Sequence, residues 1–175
     1  MTFPASFKAG RTIEDLVVIQ PDVFWENRGA VWTSYEQASY EAEIGLSFNH
    51  DKFSISKKNV LRGIHGDGKT SKLISCPFGD ITVVLVDMRE ESPSYLKHEM
   101  FRLNEKNKIQ ILVPPMIGNS FYVHSEMAVY FYKLSYQGAY ADFDDQFTVA
   151  WNDSRLGIKW PCEAPILSDR DARLE

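Results

Sequence analysis

Apolar residues recur along this chain in short runs of strand length, separated by turn residues. Residues 81–86 are almost continuously apolar and β-branched, which is typical of a strand buried on both faces. Residues 109–113 form a second run, and the diproline that follows must end it because proline supplies no ladder donor. Residues 129–134 have a period of two, which predicts that Tyr130 and Tyr132 share one face of a strand.

The first 50 residues carry weaker signals of the same kind. Residues 16–19 predict a strand, and residues 27–29 predict a turn between aromatic flanks. Residues 34–43 are the helix candidate of this half, with Ser34 as the N-cap and an end before Gly45. Many short strands with regular turns and few short helices predict an all-β sandwich or small barrel.

Residues 59–73 crowd a histidine, an arginine, two lysines and three glycines between apolar runs. Glycine lets a backbone approach a ligand closely, imidazole titrates near neutrality, and the cations can hold a phosphate or an oxyanion. This composition indicates a functional site. The alternative interpretation is a solvated hairpin loop with an incidental histidine.

Composition limits the class of protein. A chain of 175 residues with 44% hydrophobic content suits one domain over residues 1–175. A net charge of −5 argues against a nucleic-acid partner. No apolar run reaches transmembrane length and the start lacks a signal-peptide core, so we expect a cytoplasmic protein without membrane contact. Cys76 and Cys162 lie far apart and are expected to be reduced core thiols.

The histidines do not have the spacing of a metal site. His65 is followed by Gly66 and Asp67, whereas His98 and His124 are remote in the sequence, so too few ligands for a 2-His-1-carboxylate centre lie together. A strand-turn-helix elbow around a nucleophilic serine is also missing from the pattern. We therefore expect neither a metal centre nor a serine or cysteine nucleophile.

Several motifs resemble one known family in order and spacing from Phe24 to Asp171. They include Arg62-Gly63-Ile64-His65, Val113-Pro114-Pro115, Tyr130-Phe131-Tyr132-Lys133, Trp151-Asn152-Asp153 and Pro165-Ile166-Leu167-Ser168-Asp169-Arg170-Asp171. As a set they are similar to the dTDP-4-dehydrorhamnose 3,5-epimerase family. The resemblance implies a cupin-type jelly-roll β-sandwich, usually a homodimer, that epimerises nucleotide-diphosphate-linked 4-keto sugars without metal or organic cofactor.

The resemblance also implies roles for four catalytic residues. His65 falls on the base and Asp171 on the carboxylate that orients it, while Lys72 falls near the keto oxygen and Tyr132 on the general acid. The chemistry is consistent, because an imidazole can remove a proton beside a ketone only if the resulting enolate is stabilised. A tyrosine on an apolar strand face can donate the second proton, although it could equally be a core tyrosine.

Substrate-binding roles follow from the same resemblance. Arg62 matches a phosphate contact, and guanidinium groups suit a diphosphate. Phe121 matches a pocket aromatic. Phe24 and Arg28 match nucleotide-contacting positions that the partner subunit supplies in this family.

Departures from the family pattern bear on the substrate. His50 and Asp51 stand where a Gln-Asp pair is usual, and both are expected to line the sugar side. Asn119 replaces a histidine that contacts substrate. His-Gly-Asp and Gly-Asn resemble the family members that act on GDP-linked 4-keto-heptoses for capsular polysaccharide. This resemblance leads us to expect GDP-4-keto-heptose as the preferred substrate and dTDP-4-keto-6-deoxyhexose as the next. The rival interpretations are a 3,4-ketoisomerase, a non-catalytic sugar-binding jelly roll and a metal cupin oxygenase.

Overall fold

The computed structural model describes residues 4–172, and most of its regular structure is strand. Two short α-helices are present in that range, α1 (Gln37–Ile44) and α2 (Asp169–Ala172), together with two single-turn 3-10 helices, Phe143–Asp145 and Ser154–Leu156. The thirteen strands of residues 4–172 are β1 (Ala5–Ala9), β2 (Val17–Pro21), β3 (Val23–Glu26), β4 (Gly29–Trp32), β5 (His50–Lys57), β6 (Leu61–Gly66), β7 (Ser71–Phe78), β8 (Asp80–Asp87), β9 (His98–Asn104), β10 (Gln110–Val113), β11 (Ile117–Val123), β12 (Met127–Ser135) and β13 (Phe147–Thr148).

The strands form two large antiparallel sheets and one separate hairpin. The six-stranded sheet has the order β1-β2-β10-β7-β12-β5, and the five-stranded sheet has the order β13-β6-β11-β8-β9. The hairpin pairs β3 with β4. The predicted all-β sandwich with few short helices is therefore confirmed.

The main hydrophobic core joins the two large sheets. Ile74 and Ile111 of the six-stranded sheet belong to one buried cluster with Val83, Leu85 and Val123 of the five-stranded sheet. Strand β8 is buried from residue 81 to residue 87, as its continuous apolar run predicts. Burial of its side chains on both faces makes β8 the centre of the five-stranded sheet's packing.

The helix predicted over residues 34–43 is present, but its predicted start is wrong. Helix α1 begins at Gln37, and the Glu36 carboxylate accepts hydrogen bonds from the first-turn backbone N–H groups. Ser34 lies outside the helix, where its carbonyl accepts hydrogen bonds from Tyr40 and Gln110. A glutamate side chain can therefore supply the cap that the sequence assigns to a serine.

The glycine-rich stretch is not a solvated hairpin loop. Residues 61–66 form β6 of the five-stranded sheet, and residues from 71 onward form β7 of the six-stranded sheet. Residues 67–70 make the crossing, and the Asp67 carboxylate fixes it by accepting the backbone N–H groups of Lys69 and Thr70 at 3.0 and 2.7 Å. The crossing therefore places His65 and Lys72 on opposite sheets.

Candidate active site

A cavity of about 320 Å³ lies between the two large sheets. The five-stranded sheet contributes Arg62 and His65, and the six-stranded sheet contributes Lys52, Lys72 and Tyr132. Its volume lies at the lower end of the range for small-molecule sites. The cavity is therefore large enough for a sugar ring, with charged groups on both of its walls.

His65 and Asp171 form a hydrogen-bonded pair at this cavity. The imidazole Nε2 lies 2.5 Å from Asp171 Oδ1, and the Ser168 hydroxyl donates to Asp171 Oδ2 at 2.9 Å. The side chain of Asp171 is only 2% exposed. Burial disfavours the Asp171 carboxylate, but hydrogen bonds from His65 and Ser168 outweigh it, so its pKa lies below the usual value.

The charge on Asp171 determines which nitrogen of His65 can act as a base. A carboxylate accepts hydrogen bonds only, so neutral His65 carries its proton on Nε2 and donates it to Asp171. The lone pair then resides on Nδ1. The pair therefore presents a neutral imidazole whose protonated form a buried carboxylate stabilises.

Lys72 is the cation on the opposite wall. Its side chain is 10% exposed, and its Nζ lies 4.0 Å from Asp67 Oδ2. Burial lowers the pKa of the Lys72 ammonium and the nearby Lys52 lowers it further, whereas Asp67 raises it. A desolvated ammonium interacts strongly with negative charge that forms beside it.

Tyr132 lies on the same sheet as Lys72, opposite the wall that carries His65. Burial raises the pKa of its phenol, and nearby Tyr140 and Asp142 add to this effect, while Lys52 and Arg62 oppose it. A raised pKa keeps the hydroxyl protonated at neutral pH. The phenol can therefore act as a proton donor on the wall across from the imidazole.

Arg62, Asn119 and Phe121 also reach the cavity. The Arg62 guanidinium donates to Ser56 Oγ at 2.9 Å. The Phe121 ring stacks on Tyr130 with centroids 4.4 Å apart, and the Tyr130 hydroxyl donates to Asn119 Oδ1 at 3.0 Å. These contacts fix the aromatic floor of the cavity and orient the amide of Asn119.

Neither His50 nor Asp51 lines the cavity, although the sequence comparison places both on its sugar side. Asp51 lies on the outer face of β5, where its carboxylate accepts a hydrogen bond from Lys133 at 2.7 Å. His50 lies on the same face of β5 as Lys52 but beyond the cavity lining, with its Nδ1 3.1 Å from the Tyr136 hydroxyl and its ring centroid 5.1 Å from that of Tyr140. Successive side chains of a strand point to opposite faces, so Lys52, not Asp51, reaches the cavity.

Phe24 and Arg28 do not line the cavity of their own chain. Phe24 lies in β3 and is 46% exposed. Arg28 lies at the turn of the same hairpin, with its side chain 84% exposed and paired with Glu26 at 2.5 Å. Within residues 4–172, the structure therefore groups His65, Lys72, Tyr132, Asp171, Arg62, Asn119 and Phe121 but leaves this hairpin apart.

Several cavity residues carry no sequence signal that distinguishes them from ordinary polar positions. The main examples are Lys52, Ser54, Tyr140, Asp142, Gln146 and Arg170. Arg170 immediately precedes Asp171, and its Nε donates to Thr148 Oγ1 at 2.8 Å. The residues following Tyr136 look irregular in sequence, yet they close this side of the cavity.

The cavity is locally cationic although the whole chain has a net charge of −5. Its lining within residues 4–172 includes Lys52, Arg62, Lys72 and Arg170, against the carboxylates of Asp142 and Asp171. Guanidinium and ammonium groups of this kind bind phosphate oxygens. This distribution of charge favours an anionic ligand that is bound by the cations of the cavity, since the net charge of the whole protein would repel it.

The fold and the site together define a class: a jelly-roll enzyme with acid–base groups on both walls of an anion-binding cavity. The model of the dTDP-4-dehydrorhamnose 3,5-epimerase family matches residues 11–175. The chain belongs to this family, which confirms the predicted family, the cupin-type jelly roll and the assignment to the isomerases.

Individual relatives extend the match to nearly the whole chain. The dTDP-4-dehydrorhamnose 3,5-epimerase of Salmonella typhimurium is 37% identical over 91% of this chain and 89% of its own. The dTDP-6-deoxy-D-glucose-3,5-epimerase of Legionella pneumophila, solved with dTDP-4-keto-L-rhamnose, aligns with a TM-score of 0.90 at 32% identity over 98% of this chain and 92% of its own. The dTDP-4-dehydrorhamnose 3,5-epimerase of Bacillus anthracis, solved with TDP and PPi, also gives a TM-score of 0.90, at 30% identity over 98% and 99% of the two chains.

Two further findings concern residues 4–172 alone. Their His, Cys, Asp and Glu side chains form no group of three or more that could hold a metal ion. None of the helices in this range has the length and apolar character needed to cross a membrane.

Proposed function

We propose that this chain inverts carbon 3, carbon 5 or both in a 4-keto sugar linked to a nucleotide diphosphate. The observation that carries the proposal is the placement of the His65–Asp171 pair on one wall of the cavity and of Lys72 and Tyr132 on the other. Relatives that act on dTDP-linked sugars of this class support it. The catalytic roles of all four residues are part of the proposal.

His65 takes the proton from the carbon next to the ketone. The electron pair of the broken C–H bond moves into an enolate, and the imidazole becomes an imidazolium that Asp171 stabilises. Lys72 stabilises the enolate oxygen, because a buried ammonium interacts strongly with charge that develops beside it. The step is redox-neutral and needs no electron acceptor, and the Lys72 ammonium takes the place that a Lewis-acid metal would have beside the enolate. In this proposal the enzyme therefore works without metal or organic cofactor.

Tyr132 returns a proton from the opposite face of the sugar ring. Its wall faces the wall of His65 across the cavity, and abstraction from one face followed by protonation from the other inverts the carbon. Its raised pKa, caused first by burial, keeps the donor protonated. Arg62 binds a phosphate of the substrate, while Asn119 and Phe121 contact the sugar.

The preferred substrate is a GDP-linked 4-keto-heptose of capsular polysaccharide biosynthesis, and a dTDP-4-keto-6-deoxyhexose is the next candidate. The preference is supported by two departures from the usual family pattern, the His-Gly-Asp run at His65 and the Asn119 amide. Asn119 lines the cavity and Asp67 lies beside Lys72. Both departures therefore lie at or next to the place where the sugar binds.

The active form is a homodimer in which the β3–β4 hairpin reaches the partner's cavity. Phe24 and Val31 lie opposite each other in this hairpin and are 46% and 52% exposed, and Trp25 on its other face is 61% exposed. Neighbouring exposed apolar side chains mark interaction surfaces. Phe24 and Arg28 then contact the nucleotide bound by the partner subunit, while residues 1–175 of each copy form one epimerase domain in the cytoplasm.

The test is incubation of the protein with GDP-4-keto-heptose or dTDP-4-keto-6-deoxyhexose in deuterated water, with chelator present, followed by mass and NMR analysis. We expect deuterium at carbon 3 and inverted product, with the GDP sugar turned over faster. Migration of the keto group would indicate a ketoisomerase, and tight binding without exchange would indicate a non-catalytic module. Activity that returns only with one divalent ion would contradict the cofactor-free mechanism.

The number of inverted centres is tested with Tyr132→Phe, which removes a hydroxyl and keeps the ring. Deuterium should still enter at carbon 3, because His65 is intact. Inversion at carbon 5 should fall by about a hundredfold or more. A wild-type product distribution at the wild-type rate would make Tyr132 a packing residue.

A further inference from the structure

Lys52 lies directly opposite Tyr132 in the ladder between β5 and β12. Residues in such register have Cβ atoms about 4.5–5.5 Å apart and point to the same face of the sheet. Both side chains line the cavity. Tyr132 therefore has two directly opposite neighbours, Lys52 on β5 and the apolar Ile74 on β7, of which only Lys52 carries a charge. The family resemblance gives Lys52 no role.

The Lys52 ammonium contacts one aromatic side chain of the cavity, Tyr140. Its Nζ lies 3.5 Å from the Tyr140 hydroxyl and 4.8 Å from the centroid of the Tyr140 ring. Within the described range 4–172, no carboxylate lies in ion-pair distance of Lys52, whereas Lys133 of the neighbouring strand is paired with Asp51. An ammonium without a carboxylate partner can interact with negative charge that forms beside it.

We propose that Lys52 is a positioning residue for Tyr132, and that its ammonium stabilises the phenolate which forms when Tyr132 gives its proton to the sugar. The inference rests on the proposed epimerisation and adds a residue to it. In this step the Tyr132 O–H bond breaks and a C–H bond forms at the sugar carbon. The enolate becomes a ketone again, and its negative charge moves to the Tyr132 oxygen, beside Lys52.

The other charged and titratable groups around Tyr132 are consistent with this role. Burial raises the pKa of Tyr132 most strongly, Tyr140 and Asp142 raise it as well, and Lys52 and Arg62 lower it. Lys52 belongs to β5 and Arg62 to β6, so the two cations that lower this pKa lie on opposite walls of the cavity. Of the two, Lys52 is the one in register with Tyr132.

The first measurement follows the ionisation of Tyr132 and needs no substrate. Ring-labelled tyrosine is observed by NMR across alkaline pH, and the Tyr132→Phe spectrum assigns the signal. In Lys52→Met the ionisation of Tyr132 should move to higher pH, because the phenolate loses the ammonium that stabilises it relative to the neutral phenol. Lys52→Arg should restore it. An unchanged transition in Lys52→Met would overturn the inference, whether or not the protein is an epimerase.

The second measurement follows catalysis with the 4-keto sugar that the wild type turns over. Lys52→Met should lower inversion at the carbon served by Tyr132 by about tenfold, while deuterium exchange at carbon 3, measured at neutral pH, changes little. Lys52→Arg should recover most of the rate. Lys57→Met, on the exposed end of β5, controls for the loss of one charge.

The two measurements separate the failure of this inference from failure of the proposed function. A shifted Tyr132 transition with no turnover of any 4-keto sugar by the wild type would refute the epimerase and leave the coupling between Lys52 and Tyr132 supported. An active wild type with equal loss of exchange and inversion in Lys52→Met would overturn the positioning role, because a general disturbance of the cavity affects both steps.

Discussion

Two buried carboxylates of this protein look alike in sequence but differ in their surroundings. Asp87, at the end of β8, is fully buried and accepts five hydrogen bonds, from the backbone N–H and guanidinium of Arg89 and from the hydroxyls of Ser92 and Ser94. Asp171 is almost as buried, but one of its main partners is the imidazole of His65. Arginine stays charged at every accessible pH, whereas histidine gains and loses a proton near neutrality.

The comparison shows that burial and a lowered pKa do not by themselves identify a catalytic group. Hydrogen bonds overcome the burial penalty and lower the pKa of both carboxyls. The Asp87 cluster fixes the connection between β8 and β9, and its donors come from residues 89–94. The Asp171 pair faces a cavity large enough for a sugar. Access to a ligand and a titratable partner distinguish the candidate active site from the structural network.

The two carboxylates should differ most when each loses its partner side chain, His65 for Asp171 and Arg89 for Asp87. His65→Asn should reduce exchange of the sugar proton at carbon 3 by about a thousandfold or more, because the general base is lost, with little change in stability. Arg89→Met should instead cost about 3 kcal/mol of unfolding free energy, because Asp87 stays buried without its cation. Deuterium exchange by NMR and urea unfolding measure the two effects.

The two variants control for each other. Turnover per folded molecule of Arg89→Met should match the wild type, since Arg89 lies outside the cavity. Normal exchange in His65→Asn would remove His65 from the mechanism. A large loss of stability in that variant would mean that the pair at Asp171 is a structural network like the one at Asp87.

Much of the fold follows from local sequence, but the crossing between the sheets does not. The runs at residues 81–86 and 109–113 are strands β8 and β10, because uninterrupted apolar residues bury both strand faces. Residues 61–66 have the composition of a polar loop, yet they are a strand whose glycines permit close packing. Gly63 has a φ of +114°, and a Cβ there would lie 2.6 Å from the Asn119 carbonyl oxygen.

The candidate site could be predicted only as far as motifs reach. The family resemblance alone predicts that four residues share one site: His65, Lys72, Tyr132 and Asp171. No local signal in the sequence pairs His65 with Asp171, which is 106 positions away. The sequence does not tell Asp51 from Lys52 as the cavity residue, because that distinction needs the strand alternation to be known to the residue. The roles of these residues remain predictions until the variants are measured.

Replacing each carboxylate by its amide should again affect activity at Asp171 and stability at Asp87, with smaller effects than loss of the partner. Asp171→Asn should lower the rate of exchange by about a hundredfold or more, because an amide can neither fix the imidazole tautomer nor stabilise the imidazolium. Asp87→Asn should lower stability and leave turnover per folded molecule unchanged. Equal rates for Asp171→Asn and wild type would assign Asp171 a packing role.

The fall of stability in acid tests the network around Asp87. A carboxyl with a lowered pKa in the folded state stabilises the protein above the pKa of the unfolded chain, about 3.9, and this stabilisation is lost as the pH falls towards the folded value. Both Asp87 and Asp171 have lowered pKa values. The unfolding free energy should therefore fall below about pH 5, and less steeply in Asp87→Asn. An equally steep fall in Asp87→Asn would contradict the role given to its network.

The smallest expected effect concerns Asp67, a third buried carboxylate. It has a structural contact, like Asp87, and a contact with a candidate catalytic group, like Asp171. It fixes a turn through the backbone N–H groups of Lys69 and Thr70, and its Oδ2 lies 4.0 Å from the Lys72 ammonium. Burial lowers the pKa of Lys72 and Asp67 raises it, so Asp67→Asn should lower the Lys72 pKa further. If charged Lys72 stabilises the enolate, the rate of deuterium exchange in Asp67→Asn should begin to fall at a lower alkaline pH than in the wild type.

The matched control is Asp51→Asn, which removes a carboxylate from the outer face of β5, where it pairs with Lys133. In this variant the exchange rate should fall at the same alkaline pH as in the wild type. A pH profile of the exchange rate, measured for both variants, distinguishes a shift of this alkaline fall from a uniform loss of rate. A uniform loss in Asp67→Asn without a shift would mean that Asp67 serves only the turn, as Asp87 serves its own connection, because a carboxylate that holds a charge on Lys72 must change the pH at which that charge is lost.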